Sequence, residues 1–316
     1  MFKKSLLLLI VVILCCVFYF QYNKQVNPSH KPSVKLNRTS AALGISPKAE
    51  SKSKLIKKQL INIALFAVDR RTGNEAGNSD VIMVISINQA NGEIRMASIM
   101  RDTYVNIEGH GMNKINAAYP IGGPQLAIKT INQNFETDIR DYINVDFYEF
   151  ARIIDAIGGI KIKIEQNEIP YLNKYLDDVV TYDSVPAVYV KTAGWHNLTG
   201  RQIVAYSRIR YVGNGDYDRT ERQRSVLIAL FKKMQYSKRK LIPLLFKDVL
   251  PNIETSLSNF SILMIASQLF NTHNKSVKQA RFPLDVQGHG KKINNIWYLM
   301  VDRKAVSNSL LAFLNN

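Results

Sequence analysis

The chain has 316 residues, 46% of them hydrophobic, and a net charge of +17 at pH 7. This length suits one large globular domain or two small ones. Residues 1–58 hold eleven lysines and arginines against one acid, Glu50, so about +10 of the +17 lies there and the rest is mildly basic. That balance permits a nucleic-acid surface without requiring one. The only cysteines, Cys15 and Cys16, exclude a disulfide or a thiolate zinc site from the rest of the chain.

The first predicted element is an apolar run from Leu6 to Phe20, preceded by Lys3 and Lys4. It is shorter than the roughly 20 residues of an average membrane span, but flanking lysines can snorkel. The run fits a cleaved signal peptide or an uncleaved anchor, and the lack of a small-x-small cleavage site favours the anchor. We therefore predict that residues 1–22 form a cytoplasmic tail and transmembrane helix, with the remaining chain outside the cell.

A basic linker is predicted next, over residues 23–57. Up to residue 54 it is rich in Lys, Ser, Pro and Asn and has little periodic apolar content. This composition suits a flexible tether attracted to anionic lipid headgroups or wall polymers. It suits a simple solubilising spacer equally well.

Residues 58–316 alternate irregularly between strand and helix patterns. This indicates a three-layer α/β/α domain with a mixed central sheet. Three short apolar runs predict buried strands, and an Asn-Gly turn joins the last two as a hairpin: "LINIALFAV", "DVIMVISI" and "IRMASIM". Further along, four segments predict helices: "FYEFARIIDAIGG", "LTGRQIVAYSRIR", "RTERQRSVLIALFKKMQ" and "NFSILMIASQLF".

The stretch "RYVGNGDYDRTERQR", residues 210–224, places four arginines at a turn that enters a predicted helix. Asp218 is the predicted N-cap, with Glu221 three residues later, so Arg219 falls in the first turn. A helix N-terminus already carries partial positive charge, and Arg219 becomes favourable there if a phosphate docks. The alternative is a solvated helix face whose arginines pair with Asp216 or Glu221. This stretch alone does not decide between the two.

Two other predicted element ends also carry arginine. Arg208 and Arg210 follow a helix and point to one side if the segment is extended. Arg101 ends a predicted strand, and strand ends are where α/β folds bind ligands. Three arginine-bearing ends fit a doubly charged or pyrophosphate ligand better than three unrelated surface patches.

Two aspartates complete this predicted site. Asp69 ends the first strand and Asp80 begins the second. Near a polyphosphate, such a pair suits Mg²⁺, which prefers one or two carboxylates together with phosphate oxygens and water. Taken alone, the two acids fit ordinary turn positions better than a metal site.

The motifs, in their order along the chain from about Ile61 to Phe231, resemble those of the LytR–CpsA–Psr family. The resemblance rests on these segments: "VDRR", "NSDVIMVISIN", "IRMASIMRDTYV", "KINAAYPIGG", "INVDFYEFARIIDAIGGIKI", "GWHNLTGRQIVAYSRIRY" and "GDYDRTERQRSVL". It implies a phosphotransferase on the surface of a Gram-positive bacterium. Such an enzyme moves a glycopolymer, such as teichoic acid or capsule, from undecaprenyl pyrophosphate to peptidoglycan, and a lipid pyrophosphatase side activity is compatible with it. The implied partners are that lipid, peptidoglycan and the membrane, without nucleic acid.

The resemblance also assigns roles to individual residues. It gives Mg²⁺ or Mn²⁺ to Asp69 and Asp80, with Asp80 also the candidate base. Six further residues are assigned to pyrophosphate binding: Arg101, Arg208, Arg210, Asp216, Arg219 and Gln223. Of these, Arg101 and Arg219 are also catalytic candidates, together with Asp80.

The sequence departs from the family pattern at two positions. Asn78 stands where relatives usually have Arg, which removes one expected phosphate contact, and Met100 stands where Pro is frequent. A non-catalytic, membrane-tethered binder of polyprenyl-phosphate lipids or wall polymers is the alternative function. Turnover distinguishes the enzyme from the binder.

Overall fold

The computed structural model describes residues 35–56, 60–68, 77–180, 186–236, 253–271 and 277–315, and the molecule discussed below consists of these ranges. The predicted anchor and Asp69 lie outside them. Within the described ranges, no helix combines the length and the apolar character needed to cross a membrane.

Strands and helices alternate along the chain, as the sequence predicts. The strands are β1 (Leu60–Val68), β2 (Ser79–Asn88), β3 (Ile94–Ile99), β4 (Tyr104–Ile107), β5 (Gly111–Lys114), β6 (Asp141–Asp146), β7 (Ile160–Ile164), β8 (Gly194–Leu198), β9 (Glu254–Thr255), β10 (Val277–Phe282), β11 (Gly288–Ile293) and β12 (Ile296–Val301). The helices are α1 (Pro47–Ile56), α2 (Ala118–Phe135), α3 (Phe147–Ala156), α4 (Ile169–Val180), α5 (Gly200–Arg208), α6 (Asp216–Tyr236), α7 (Asn259–Asn271) and α8 (Arg303–Asn315).

A six-stranded mixed sheet forms the centre, in the order β10–β3–β2–β1–β6–β9. The predicted hairpin of β2 and β3 is confirmed, and Gly92, in the predicted Asn-Gly turn, has the positive φ of 67° that such a turn requires. β1 pairs antiparallel with β2 but parallel with β6, and β10 runs parallel to β3. The mixed central sheet of the sequence prediction is therefore confirmed.

Helices pack on both faces of this sheet. On one face Phe66 and Val84 belong to a cluster that includes Ile128 of α2 and Leu310 of α8. On the other face Ile63, Ile87 and Met96 pack with α6 and α7. This alternation of inward residues follows from the two-residue period of a strand, since successive side chains point to opposite faces.

A second apolar cluster joins α3, α5 and α6 to the hairpin of β7 and β8. Within it, Thr199 caps α5 through the capping box with Gln202 that the sequence predicts. Ile154 and Ile157 of the α3 segment lie in the same cluster. The apolar spacing of α3 therefore builds core.

The folded domain begins earlier than the predicted boundary at residue 58. Leu36, Leu43 and Ile45 are buried in the main cluster, and the Leu43 carbonyl accepts a hydrogen bond of 2.8 Å from Asn132 Nδ2. The later part of the predicted linker therefore belongs to the domain. Leu36, Leu43 and Ile45 have no regular spacing, so they give no periodic signal in the sequence.

Candidate active site

The antiparallel hairpin of β2 and β3 brings the start of one strand next to the end of the other. Asp80 is the second residue of β2, and Arg101 lies two residues beyond the end of β3. The Arg101 Nη1 atom donates a hydrogen bond to Asp80 Oδ1. The structure thus joins two of the predicted site residues directly.

Arg101 is held by three carboxylates. Besides Asp80, its Nε lies 3.2 Å from Asp216 Oδ2 and 3.5 Å from Asp102 Oδ2. Burial disfavours the charged guanidinium, but the combined attraction of the carboxylates outweighs burial and raises the pKa of Arg101. Arg101 is therefore a permanently charged, fixed donor at the end of β3.

The turn before α6 differs from the predicted N-cap. The helix begins at Asp216, three residues before Arg219, the predicted first helical residue, because Gly213 and Gly215 adopt positive φ angles of 73° and 63° and turn the chain early. Asp218 lies inside the helix, and its Oδ2 accepts from the Asn214 backbone N–H at 3.0 Å. The shift places Asp216 at the helix start, facing the arginines.

Arg219 is the most enclosed cation of the cluster, since its side chain is only 2% exposed. Its Nη2 donates to Asp216 Oδ2 at 3.2 Å. Its Nε is buried and has no hydrogen-bond partner among the described residues. Burial first, and then the nearby positive charge of Arg101, lower the pKa of Arg219 to about 10, so the group stays protonated at neutral pH. A buried, charged and incompletely bonded guanidinium is costly without an anion.

Arg208 and Arg210 have different contacts in the structure. Arg210 lies 3.6 Å from Asp216 Oδ1 and 3.9 Å from Asp80 Oδ2, in the cluster. Arg208 instead ends α5 and stacks over the Tyr175 ring, 5.4 Å from its centroid. The expectation that both project to one side assumed an extended segment, whereas Arg208 is helical.

Asp216 and Gln223 lie on the first turns of α6, at different distances from the cluster. Asp216 contacts all three arginines of the cluster, and although burial alone would raise its pKa, Arg219, Arg101 and Arg210 together lower it. Gln223 is buried two turns later, where its Nε2 donates to the Ser207 carbonyl at 3.5 Å. Gln223 therefore connects α6 to α5, while Asp216 holds the arginines.

Sequence reasoning gave no role to Asp102 and Lys114. The Lys114 ammonium lies 2.6 Å from Asp102 Oδ1, and the same carboxylate contacts Arg101. The adjacency of Asp102 and Arg101 in the strand-end motif was the available signal. Lys114 is close only because β4 and β5 fold back as a hairpin, which its sequence position does not reveal.

The charges of this cluster do not balance. Three arginines (101, 210 and 219) face two carboxylates, those of Asp80 and Asp216, because Asp102 is shared with Lys114. Guanidinium groups bind phosphate through paired, charge-assisted hydrogen bonds. The cluster and the unpaired Arg219 Nε therefore form a candidate site for a multiply charged phosphate.

The sequence of this α/β domain matches a known class of protein. The LytR_cpsA_psr family model matches residues 16–312, and the chain belongs to that family. The family resemblance seen in the sequence is thereby confirmed.

Two curated relatives carry the same name, polyisoprenyl-teichoic acid–peptidoglycan teichoic acid transferase TagU. The protein from Oceanobacillus iheyensis is 31% identical over 258 residues, which cover 79% of this chain and 74% of that protein. The protein from Bacillus cereus is 30% identical over 302 residues, covering 94% of this chain and 90% of that protein.

The fold is also similar to that of a solved structure, the LytR-CPS2A-psr family protein YwtF (TagT) with bound octaprenyl pyrophosphate lipid. Its TM-score is 0.65 at 22% identity, and the match covers 90% of this chain and all of that one. At this identity the likeness shows a shared fold.

Proposed function

We propose that the chain is a membrane-anchored transferase that acts outside the cell. It moves a wall glycopolymer from undecaprenyl pyrophosphate to peptidoglycan. Support comes from the teichoic acid transferase names of its relatives and from the octaprenyl pyrophosphate bound by a protein of the same fold. The observation that carries the proposal in this chain is the buried Arg219, whose Nε lacks a partner among the described residues.

The three cluster arginines bind the diphosphate and stabilise the charge that develops during transfer. An acceptor hydroxyl oxygen on peptidoglycan attacks the phosphorus that carries the polymer. The bond from that phosphorus to the bridging oxygen breaks, and polyprenyl phosphate leaves with the bonding electron pair. Arg101, Arg210 and Arg219 donate to the oxygens on which charge accumulates, a form of catalysis in which the donors are fixed in advance.

The two cluster aspartates have different tasks. An ionised carboxylate only accepts hydrogen bonds, so Asp216 holds the arginines in position and does not itself bind phosphate oxygens. Asp80 takes the proton of the attacking hydroxyl, since phosphate competes for the guanidinium donors of Arg101 and Arg210 and leaves this carboxylate available.

The carboxylates of this site suit a divalent cation only if the phosphate oxygens of the substrate complete its coordination. No cluster of three or more His, Cys, Asp or Glu side chains with metal-binding potential occurs among the described residues. Mg²⁺ or Mn²⁺ is compatible with one or two carboxylates plus phosphate oxygens, and Asp80 with Asp69 would hold it. When bound, the ion would neutralise phosphate charge.

The test is a transfer assay with the full chain, polyprenyl-diphosphate-linked glycopolymer and peptidoglycan. We expect polymer on the glycan, release of polyprenyl phosphate, and dependence on Mg²⁺ or Mn²⁺. Asp80→Asn should abolish transfer while lipid binding survives through the arginines.

Two results would contradict parts of the proposal. If the wild-type chain retains the lipid without turnover, it is a binder. If Asp80→Asn is fully active with excess chelator, the carboxylate is neither base nor metal ligand. Release of polyprenyl phosphate without peptidoglycan would reveal the pyrophosphatase side reaction, with water replacing the acceptor hydroxyl.

A further inference from the structure

Large apolar side chains are exposed on both faces of the hairpin of β11 and β12 and just before it. Trp297 is 39% exposed and Ile296 is 50% exposed at its turn end. Just before the hairpin, Leu284 is 41% and Val286 is 95% exposed. Four large apolar residues within fourteen positions exceed the single scattered cases that are normal on a soluble surface.

The hairpin is also basic. Residues 288–301 contain Lys291 and Lys292 and no acidic residue. Both lysines are exposed, and neither has an ion-pair partner among the described residues. Lys292 lies directly across from Trp297, so the cation and the indole project to the same face.

The hairpin has a defined geometry. Asn294 and Asn295 form a two-residue turn with positive φ angles of 50° and 63°, the conformation that closes a tight hairpin. The Trp297 indole lies over Gly290, where a Cβ atom would come within 2.8 Å of the indole Nε1. The indole therefore occupies the space that a side chain at position 290 would fill.

The base of the hairpin is joined to the candidate site. The Leu299 N–H donates to the Asp102 carbonyl at 2.9 Å, and Asp102 follows Arg101 directly. Thr103 pairs with Leu299 in an isolated bridge. The exposed hairpin thus begins beside the end of the sheet where the arginines cluster.

We infer that this hairpin docks on the surface of an anionic lipid bilayer. Trp is favoured at the boundary between hydrocarbon and water, and lysines near an anionic leaflet are attracted to it. The hairpin itself has no acidic residue, and the exposed Asp285 between Leu284 and Val286 is paired with Arg281, which limits repulsion from an anionic surface. Docking brings the end of the sheet that carries Arg101 towards the membrane, independently of any transfer chemistry.

The two tryptophans of the chain provide a matched test. Trp195 on β8 is also exposed, at 64%, and also has a lysine over its ring, that of Lys161 at 5.6 Å. Trp195→Phe leaves Trp297 as the only tryptophan, and Trp297→Phe leaves Trp195. The full chain of each variant is reconstituted into phosphatidylglycerol vesicles with brominated acyl chains, and quenching by bromine is measured.

We expect quenching and a blue-shifted emission from Trp297, and neither from Trp195. Lys291→Gln with Lys292→Gln should reduce the equilibrium constant for docking roughly fivefold for each lysine. Phosphatidylcholine vesicles should give the same loss. Asp80→Asn should leave the quenching unchanged, which separates this inference from the proposed function.

Three outcomes would overturn the inference. Unquenched Trp297 would mean that the surface meets water or a protein. Equal quenching of both tryptophans would show general proximity to the bilayer without docking of this hairpin. Quenching that is equal on neutral and anionic vesicles would remove the role of the lysines. Melting temperatures of all variants, measured alongside, show that the fold is intact.

Discussion

Two buried arginines on α6 differ in how completely the fold satisfies their charge and hydrogen-bond donors. Arg222 pairs with Glu168 at 2.7 Å and also donates to the Ile209 carbonyl at 3.3 Å. Arg219, one turn earlier, is equally buried but faces two other arginines and has an unpaired Nε among the described residues. The first arrangement is satisfied within the fold, whereas the second has an unsatisfied donor among the described residues, and this donor is the basis of the proposed anion site.

Arg219→Met should therefore leave stability near that of wild type while weakening binding of a polyprenyl diphosphate. The substitution removes a buried charge whose neighbours Arg101 and Arg210 still neutralise Asp216. Loss of charge-assisted hydrogen bonds worth about 1.5–3 kcal/mol predicts roughly ten- to hundredfold weaker binding. Thermal unfolding and lipid titration measure the two effects.

Arg222→Met is the matched control at this scale. It leaves the buried Glu168 carboxylate without its cation, which costs about 3–5 kcal/mol of unfolding free energy. If Arg219→Met destabilises the fold as much as Arg222→Met, the cluster is a structural ion-pair network. Arg101→Ala and Arg210→Ala are expected to behave like Arg219→Met.

At the scale of elements, the contact between α3 and α5 positions Arg208 at the end of α5 and Arg210 just beyond it. Gly200, the first residue of α5, lies so close to α3 that a Cβ atom would come within 1.9 Å of the Ala151 carbonyl oxygen. Only a residue without a side chain fits there. The Gly in "LTGRQ" thus has a packing reason that becomes visible only in three dimensions.

Gly200→Ala should destabilise the fold by about 3 kcal/mol or more, because the obstacle is backbone and cannot rotate away. Gly109→Ala serves as the control, since its positive φ of 79° carries strain but no atom lies within 4 Å of the added methyl group. We expect the control to cost only about 1–2 kcal/mol. Similar denaturant midpoints for the two variants would mean that α5 moves aside without penalty.

The elements also show what a sequence pattern can and cannot reveal. β1, β2 and β3 are predictable because each is an apolar run with turn residues at its ends. The start of α6 lies three residues before the predicted one. Asp218 is a residue type that favours the N-cap, but the two glycines before Asp216 decide where the turn closes. Arg208 and Arg210 were placed together by spacing, but a helix end between them sends them to different partners.

At the scale of the whole molecule, the first described residues already contribute to the hydrophobic core. Leu43 is completely buried and packs beneath α2, although it lies in a segment whose composition resembles a linker. Long-range contacts of this kind leave no local signal. The site was more predictable than this boundary, because its arginines all lie at element ends, where α/β folds place ligands.

Leu43→Ala should lower the free energy of unfolding by about 2–5 kcal/mol, since it leaves a cavity in the main cluster. Val188, 69% exposed, provides the control, because Val188→Ala removes no core contact and should change stability by about 0.5 kcal/mol or less. Equal stability of the two variants by denaturant unfolding would show that the segment before α1 is dispensable.

The carboxylates that hold the arginines also limit which anions can compete for the guanidinium groups. Because Asp80 and Asp216 already occupy guanidinium donors, an incoming anion must displace internal competitors that are present at very high local concentration. A monovalent anion such as chloride or acetate offers no more charge than the carboxylate it would replace. A diphosphate offers several charged oxygens on one rigid group and can exchange with both aspartates at once. Simple salts should therefore be poor inhibitors, beyond their general screening of charge.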